Sequence, residues 1–375
     1  MSEKKYFAIG CFNFGVKKNP PFEFKGSEYL KELEKQLSKI SNLTNLLIET
    51  DDDFSDYKEN ISKKIINIQN GNGSFPNPLI LDIEFDLYIP FKIQAKLGGG
   101  KKKYLRTYTE NFKIRISNSF YAPVAVIECI NPKKKNAPSS AVQIVREYIR
   151  NEFKEKKSDY IRFEYLGPSP FHLDCFLIPE KPKNDTEWLF KTTEFNQKGY
   201  DELTIHYNNE EFENADEAMF NLVPSIIDEL GFYYSFQQER VHKMREWSSL
   251  QKKLNKLLKI EKSKGILGVY KKFFLRQKLI GKLFIGIATF EGQNIYGDNF
   301  FKNNYKQTFL IDEDVFFKNF IDKELAEKQE YPIKQISELI NFLESRRVKS
   351  VELTMTIIAA ILGGVVGALI TIYMQ

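Results

Sequence analysis

Three residues of the types that hydrolases use lie close together in one short segment. Ser169, His172 and Asp174 fall within six positions of one another, and Pro168 and Pro170 flank the serine. A nucleophilic serine of the GxSxG pattern lies on a turn between a strand and a helix, and this segment lacks that pattern. The two prolines favour a rigid turn, with a ligand-binding loop as the first alternative and a catalytic serine as the second.

A second candidate site consists of acidic residues that alternate along the chain. Asp82, Glu84 and Asp86 share one face of a predicted strand, whose opposite face is apolar. Nuclease carboxylates have this arrangement, but they are joined by a lysine in the order Glu-x-Lys, and no lysine follows Glu84 in this way. The sequence therefore does not favour a nuclease.

Other motifs that could hold an ion or a phosphate are weaker. Asp51–Asp53 with Asp56 lack the spacing and the glycine of an EF-hand, which favours an acidic helix start. Gly98–Lys103 lacks the P-loop form and lies between predicted strands, which favours a basic hairpin tip. The three cysteines and three histidines are scattered and include no CxxC or HxxxH pair, so we predict no metal site and no cofactor.

The elements that must position these residues have the pattern of an α+β fold. Residues 79–97 alternate between apolar and polar side chains, which predicts one long strand. Residues 138–153 place Val142, Val145 and Ile149 on one face, as in an amphipathic helix. This mixture predicts a mixed, largely antiparallel sheet with flanking helices. We also predict strands at 4–16, 104–116, 121–130, 188–195 and 203–207, a strand pair at 159–165 and 172–178, helices at 28–40, 55–69, 216–262, 312–328 and 332–350, and a polar loop at 299–307.

The basic residues are concentrated in one part of the chain. The net charge is +5, yet Lys243 to Lys282 contains thirteen basic and two acidic residues, so the remainder is net negative. A solvated helix face is the favoured interpretation, followed by contact with anionic lipid. Contact with nucleic acid is the third interpretation, because lysine far outnumbers arginine. The candidate residues for contact with a polyanion or lipid are Lys252, Lys253, Lys256, Lys259, Lys271, Lys272, Arg276 and Lys278.

The C-terminal residues are far more apolar than the rest of the chain. Leu353 to Tyr373 contains 21 residues without a charge, and about 20 apolar residues suffice to cross a bilayer as a helix. Arg346, Arg347 and Lys349 precede this stretch, and positive residues favour the cytoplasmic side. We therefore predict a single-pass, tail-anchored protein of the inner membrane, with its N-terminal bulk in the cytoplasm.

Small residues recur every four positions within the predicted span. Such stripes allow helices to approach closely in lipid, and we expect self-association into a homo-oligomer through this face. The residues of the two stripes are Ala359, Gly363 and Gly367, and Ala360, Gly364 and Ala368.

Three regions follow from these observations. Residues 1–213 are predicted to form a cytoplasmic α+β domain, residues 214–350 a helical, basic juxtamembrane region, and residues 351–375 a transmembrane anchor. In layout the chain resembles single-span membrane effectors of bacterial antiviral defence and, more faintly, CorA proteins. CorA proteins have two spans joined by a Gly-Met-Asn motif, which this chain lacks.

The resemblance implies a cytoplasmic sensor and effector that self-associates and disrupts the inner membrane. Its cytoplasmic domain would bind a protein partner or a small ligand. The alternatives are a membrane-tethered scaffold or docking protein, and a membrane-tethered enzyme of unknown chemistry. A non-enzymatic function is favoured, because no motif combines a nucleophile, a base and an orienting group in the expected order.

Overall fold

The structure is a computed structural model of the 375-residue chain. It describes residues 4–17, 26–50, 81–97, 107–118, 122–133, 137–167, 169–182, 188–197, 200–309, 315–327, 329–346, 355–356 and 359–361.

The described strands form a large sheet and a small one. The large sheet has eight strands in the order β3-β4-β5-β6-β1-β8-β10-β9, and β2 pairs with β7 in the small sheet. Among these strands β8 and β10 run parallel, and the other pairs are antiparallel. The strands are β1 Lys5–Gly10, β2 Phe12–Val16, β3 Leu43–Thr50, β4 Leu81–Tyr88, β5 Asn111–Asn118, β6 Val124–Cys129, β7 Ile161–Tyr165, β8 Asp174–Glu180, β9 Phe190–Gln197 and β10 Tyr200–Asn208.

Helices cover both faces of the large sheet and make up a second compact unit. The helices are α1 Gly26–Leu37, α2 Phe91–Leu97, α3 Ser139–Glu155, α4 Ala215–Lys262, α5 Gly265–Tyr270, α6 Arg276–Thr308 and α7 Lys318–Ala326, with a π-turn at Lys271–Leu275 and a further helix, α8, at 333–346.

The large sheet separates two hydrophobic cores. Leu81, Ile83 and Phe85 are buried in a core that includes side chains of α1 and α3. The opposite face of the sheet contributes Phe7 and others to a core with side chains of α4 and α7. The sequence prediction of an α+β fold with a mixed, largely antiparallel sheet is confirmed.

The described residues pack as two compact units. Residues 1–242 and 299–327 form the first unit, and residues 243–298 and 328–375 form the second. The first unit contains both cores of the sheet, and the second has its own core around Trp247, Leu283 and Ile340. The division at residues 213 and 350 that the sequence predicts stays a prediction.

Tertiary structure changes several local predictions. The strand predicted over 79–97 ends at Tyr88 and is followed by α2, because Pro90 cannot donate to a strand ladder and its carbonyl instead accepts from Ile93 and Gln94. The loop predicted at 299–307 belongs to α6, since Phe301 is buried against Phe232 in the core of the first unit.

The strand pair predicted at 159–165 and 172–178 is also wrong. Strand β7 pairs with β2, whereas β8 lies between β1 and β10. Between the two strands, Phe171 and His172 have φ values of 56° and 51°, in the left-handed region that such residues rarely adopt. This conformation directs the chain away from a hairpin.

The predicted transmembrane anchor requires a correction. No helix among the described residues is long and apolar enough to cross a membrane. This finding overturns the tail-anchored, single-pass topology and the inner-membrane location, which rested on hydropathy and on the positive residues that precede the apolar stretch. Ala359 and Ala360 are described, in a short helical stretch, whereas Gly363, Gly364, Gly367 and Ala368 lie outside the described residues, as do most positions of the predicted span.

Candidate functional site

A groove of about 410 Å³ opens in the first unit between α4 and the strands β3, β4 and β5. We call it the acidic groove. Its volume is within the range of small-molecule pockets, about 300–1,000 Å³. The residues that line it include Leu47 and Glu49 on β3, Asp82 and Glu84 on β4, Arg115 and Ser117 on β5, and Phe220, Val223, Pro224, Ile227 and Asp228 on α4.

The strand wall of the acidic groove is polar because of register and alternation. Glu49 is paired with Asp82, and Asp82 with Ser117, so these side chains project from the same face of the sheet. Asp82 accepts a hydrogen bond from the Ser117 hydroxyl. Glu84 lies 2.7 Å from Lys113 Nζ and 2.6 Å from Arg115 Nε. These contacts hold the carboxylates in a row along the wall.

The helix wall is positioned by a cap at the start of α4. The Asn214 side-chain oxygen accepts hydrogen bonds from the backbone N–H groups of Asp216 and Glu217, at 3.0 and 2.9 Å. A cap of this kind stabilises a helix by about 1 kcal/mol. It fixes where α4 begins, and therefore which residues of its second to fourth turns face the groove.

A proline within α4 removes one backbone hydrogen bond of the helix on this wall. Pro224 has no N–H to donate to the carbonyl oxygen of Phe220, the residue four positions earlier. The Phe220 ring is 69% exposed, and both residues line the groove. Exposed apolar surface therefore lies on the helix wall.

Negative charge dominates the acidic groove. Four carboxylates and one guanidinium line it, and Arg115 is already engaged by Glu84. Glu49 and Asp228, one from each wall, form no ion pair with any residue in the described part of the chain. Burial raises the pKa of Asp228 above its ordinary value, although the side chain reaches the solvent. The arrangement fits a cationic group carried beside an apolar one.

The structure does not assemble the residues that resemble a hydrolase into a catalytic site. The Ser169 hydroxyl is buried and has no hydrogen-bond partner among the described residues, so the hydrogen bond between nucleophile and base is not formed. Asp174 accepts a hydrogen bond of 2.7 Å from the Ser139 backbone N–H at the start of α3. His172 lies in the turn with positive φ. The geometry supports the rigid turn.

The acidic row on β4 contributes to the groove but not to a metal centre. Asp82 and Glu84 line the groove, whereas Asp86 accepts a hydrogen bond of 2.6 Å from Asn45. The described residues include no group of three His, Cys, Asp or Glu side chains that could hold a metal ion. Asp51–Asp53, Asp56 and Gly98–Lys103 lie outside the described residues.

The basic residues singled out from the sequence lie on helices of the second unit. Arg276 is buried, forms an ion pair with Glu261 and donates to the Leu343 carbonyl, so its guanidinium is committed to the fold. The lysines keep access to solvent: Lys252, Lys256, Lys259, Lys271 and Lys278 are exposed, and Lys253 and Lys272 are half-buried.

Sequence reasoning missed the helix wall of the acidic groove. Phe220 and Asp228 belong to a stretch that predicts only a helix, and nothing local indicates that they face β3 to β5. The available signal was Pro224 inside a helical pattern. A proline in a helix interior costs about 3 kcal/mol of helix stability relative to alanine, so other interactions must offset that cost.

Comparison with known proteins adds no family to this description. The chain matches no protein-family model, and neither the curated proteins nor the solved structures contain a match to it.

Proposed function

We propose that the protein is a non-enzymatic sensor or docking protein whose first unit binds a cationic, partly apolar partner in the acidic groove. The observation that carries the proposal is the pair of carboxylates, Glu49 and Asp228, that line the groove without an ion pair among the described residues. Their position beside the exposed ring of Phe220 suits a lysine or arginine that is flanked by apolar side chains.

Docking explains the groove better than catalysis does. The described lining of the groove pairs the Ser117 hydroxyl with Asp82 but includes no histidine, cysteine or lysine, the residue types that most often supply a catalytic base or nucleophile. The carboxylates of the groove are instead spread along two walls. This spread suits recognition of an extended basic surface more than the activation of a single bond.

The sensor hypothesis also requires a response in the second unit. Its helices expose several large apolar side chains among lysines, including Tyr270, Phe284 and Ile285. Exposed apolar patches of this kind mark interaction surfaces. We assign self-association, which the sequence analysis placed in the C-terminal stretch, to contacts of this type.

The proposal is tested with a synthetic amphipathic peptide of lysine and phenylalanine whose sequence is unrelated to this chain. Fluorescence anisotropy would measure its binding to the full chain, with a glutamate analogue of the peptide as the charge control. We expect the basic peptide to bind and the acidic peptide not to bind.

Two variants then locate the binding. Asp228→Lys is expected to weaken binding of the basic peptide by about tenfold. Glu211→Lys, which makes the same charge change at an exposed position outside the groove, should leave it nearly unchanged. Equal affinities for the two variants, or equal binding of both peptides, would contradict the proposal.

A further inference from the structure

A row of exposed basic and apolar residues runs from the helical turns before α6 onto the surface of α6. Lys278, Lys282 and Ile285 follow at spacings of four and three residues, so they share one face of the helix. Before them, the rings of Tyr270 and Phe274 lie 4.9 Å apart, and both are more than half exposed. We call these five residues the basic stripe.

The lysines of the basic stripe are available for an external partner. Neither Lys278 nor Lys282 forms an ion pair within the described part of the chain. The buried side of α6, with Ile280, Leu283 and Ile287, supplies the core of the second unit. The stripe is therefore a separate face that is not needed to hold the helix in place.

The basic stripe and the acidic groove match in chemistry. The groove presents Glu49 and Asp228 together with apolar Leu47 and Phe220, whereas the stripe presents lysines together with aromatic and aliphatic side chains. Opposite charges steer the encounter of two surfaces, and buried apolar contacts then slow their dissociation. Each surface thus offers the groups that the other lacks.

We propose that the basic stripe of one copy of this chain docks in the acidic groove of a second copy. The proposal rests on the proposed function of the groove as a docking site and names its partner. The two contact surfaces differ, so the contact is heterologous: the copy that contributes its stripe keeps a free groove, and the copy that contributes its groove keeps a free stripe. Such contacts produce closed rings or open chains rather than dimers alone.

Self-association of the full chain is measured by sedimentation velocity over a range of protein concentrations. Species larger than a dimer are expected at low salt. The fraction of these species should decrease as the salt concentration increases, because the Debye length falls from about 10 Å at 0.1 M to about 3 Å at 1 M. A chain that stays monomeric throughout would overturn this proposal, while peptide binding would still decide the function of the groove.

Charge reversal on the two surfaces tests the pairing itself. The groove variant combines Glu49→Lys with Asp228→Lys, and the stripe variant combines Lys278→Glu with Lys282→Glu. Each is expected to weaken self-association by about tenfold or more. All four substitutions in one chain should restore it to within about threefold of the original, because the charges are again complementary.

Matched controls separate this pairing from a general effect of net charge. Asp159→Lys with Glu211→Lys repeats the charge change of the groove variant at exposed positions outside the groove. Lys252→Glu with Lys256→Glu repeats the charge change of the stripe variant at exposed positions outside the stripe. Both controls should self-associate normally. Failure of the fourfold variant to recover, with its circular dichroism unchanged, would overturn the pairing.

Discussion

The Glu84 carboxylate lies 2.6 Å from Arg115 Nε on the strand wall of the acidic groove. The same carboxylate is 2.7 Å from Lys113 Nζ, so it engages both cations and offsets one of their two positive charges. Lys113 and Arg115 together offset at most two of the four carboxylates that line the groove. The ion pairs of the sheet therefore maintain the negative potential on which cation binding depends.

Glu84→Gln should weaken binding of the basic peptide several-fold, because Arg115, which lines the groove, and the neighbouring Lys113 would then lose the carboxylate that pairs with both. Stability should fall by no more than about 1 kcal/mol, since the pairs are partly exposed. Anisotropy and urea denaturation measure the two effects. Glu147→Gln is the control, because Glu147 also bridges two cations, Arg146 and Arg150, outside the groove. Similar peptide affinities for the two variants would contradict this role of Glu84.

Phe220→Ala should reduce affinity for the basic peptide by about tenfold, because an aromatic anchor of an interface is removed. The side chain is 69% exposed, so stability should change by no more than about 0.5 kcal/mol. Tyr296→Ala, at a residue that is 72% exposed on α6, is the matched control and should bind normally. A loss of stability without a loss of affinity would show that Phe220 is a packing residue.

Glu229→Gln should change how stability depends on pH. Burial raises the pKa of Glu229 to about 7, although its carboxylate accepts hydrogen bonds from the backbone N–H groups of Phe316 and Phe317 at 2.8 and 2.7 Å. The folded state therefore retains a proton that the unfolded state has already lost. This residue's contribution to stability is full below pH 4.5, the ordinary pKa, and is lost as pH rises toward 7.

Urea denaturation across this pH window measures the effect. The stability of the unsubstituted chain relative to Glu229→Gln should fall by about 2 to 3 kcal/mol as pH rises from 4.5 to 7. Glu211→Gln, which alters an exposed carboxyl group, should show no such change. A difference that stays constant or increases with pH would contradict the raised pKa.

Ser169→Ala should raise stability by about 1 kcal/mol, because it removes a buried hydroxyl that has no partner among the described residues. Ser235→Ala is the matched control. The buried Ser235 hydroxyl accepts a hydrogen bond of 2.9 Å from the Ala122 backbone N–H, so its loss should cost about 1 kcal/mol. Thermal unfolding compares the two. Destabilisation by Ser169→Ala would indicate that its hydroxyl has a partner.

The sequence by itself determined the elements whose side chains alternate strongly. Along β4 every second residue is buried, as the two-residue period of a strand requires. The positions between the buried residues are those of Asp82, Glu84 and Asp86. The helix predicted at 138–153 matches α3 to within two residues at each end, and residues 216–262 fall within α4. These elements follow local rules, because burial of one face imposes a fixed repeat on the side chains.

Only the tertiary structure decided how these elements meet. It ended the predicted strand at Tyr88, extended α6 through 299–307 to bury Phe301, and overturned the membrane anchor that hydropathy predicted. It also placed Asp228 in the same groove as Glu49, which lies almost half the chain away in sequence. Periodicity reports which face of an element is buried but not which element covers it, so the groove followed from packing alone.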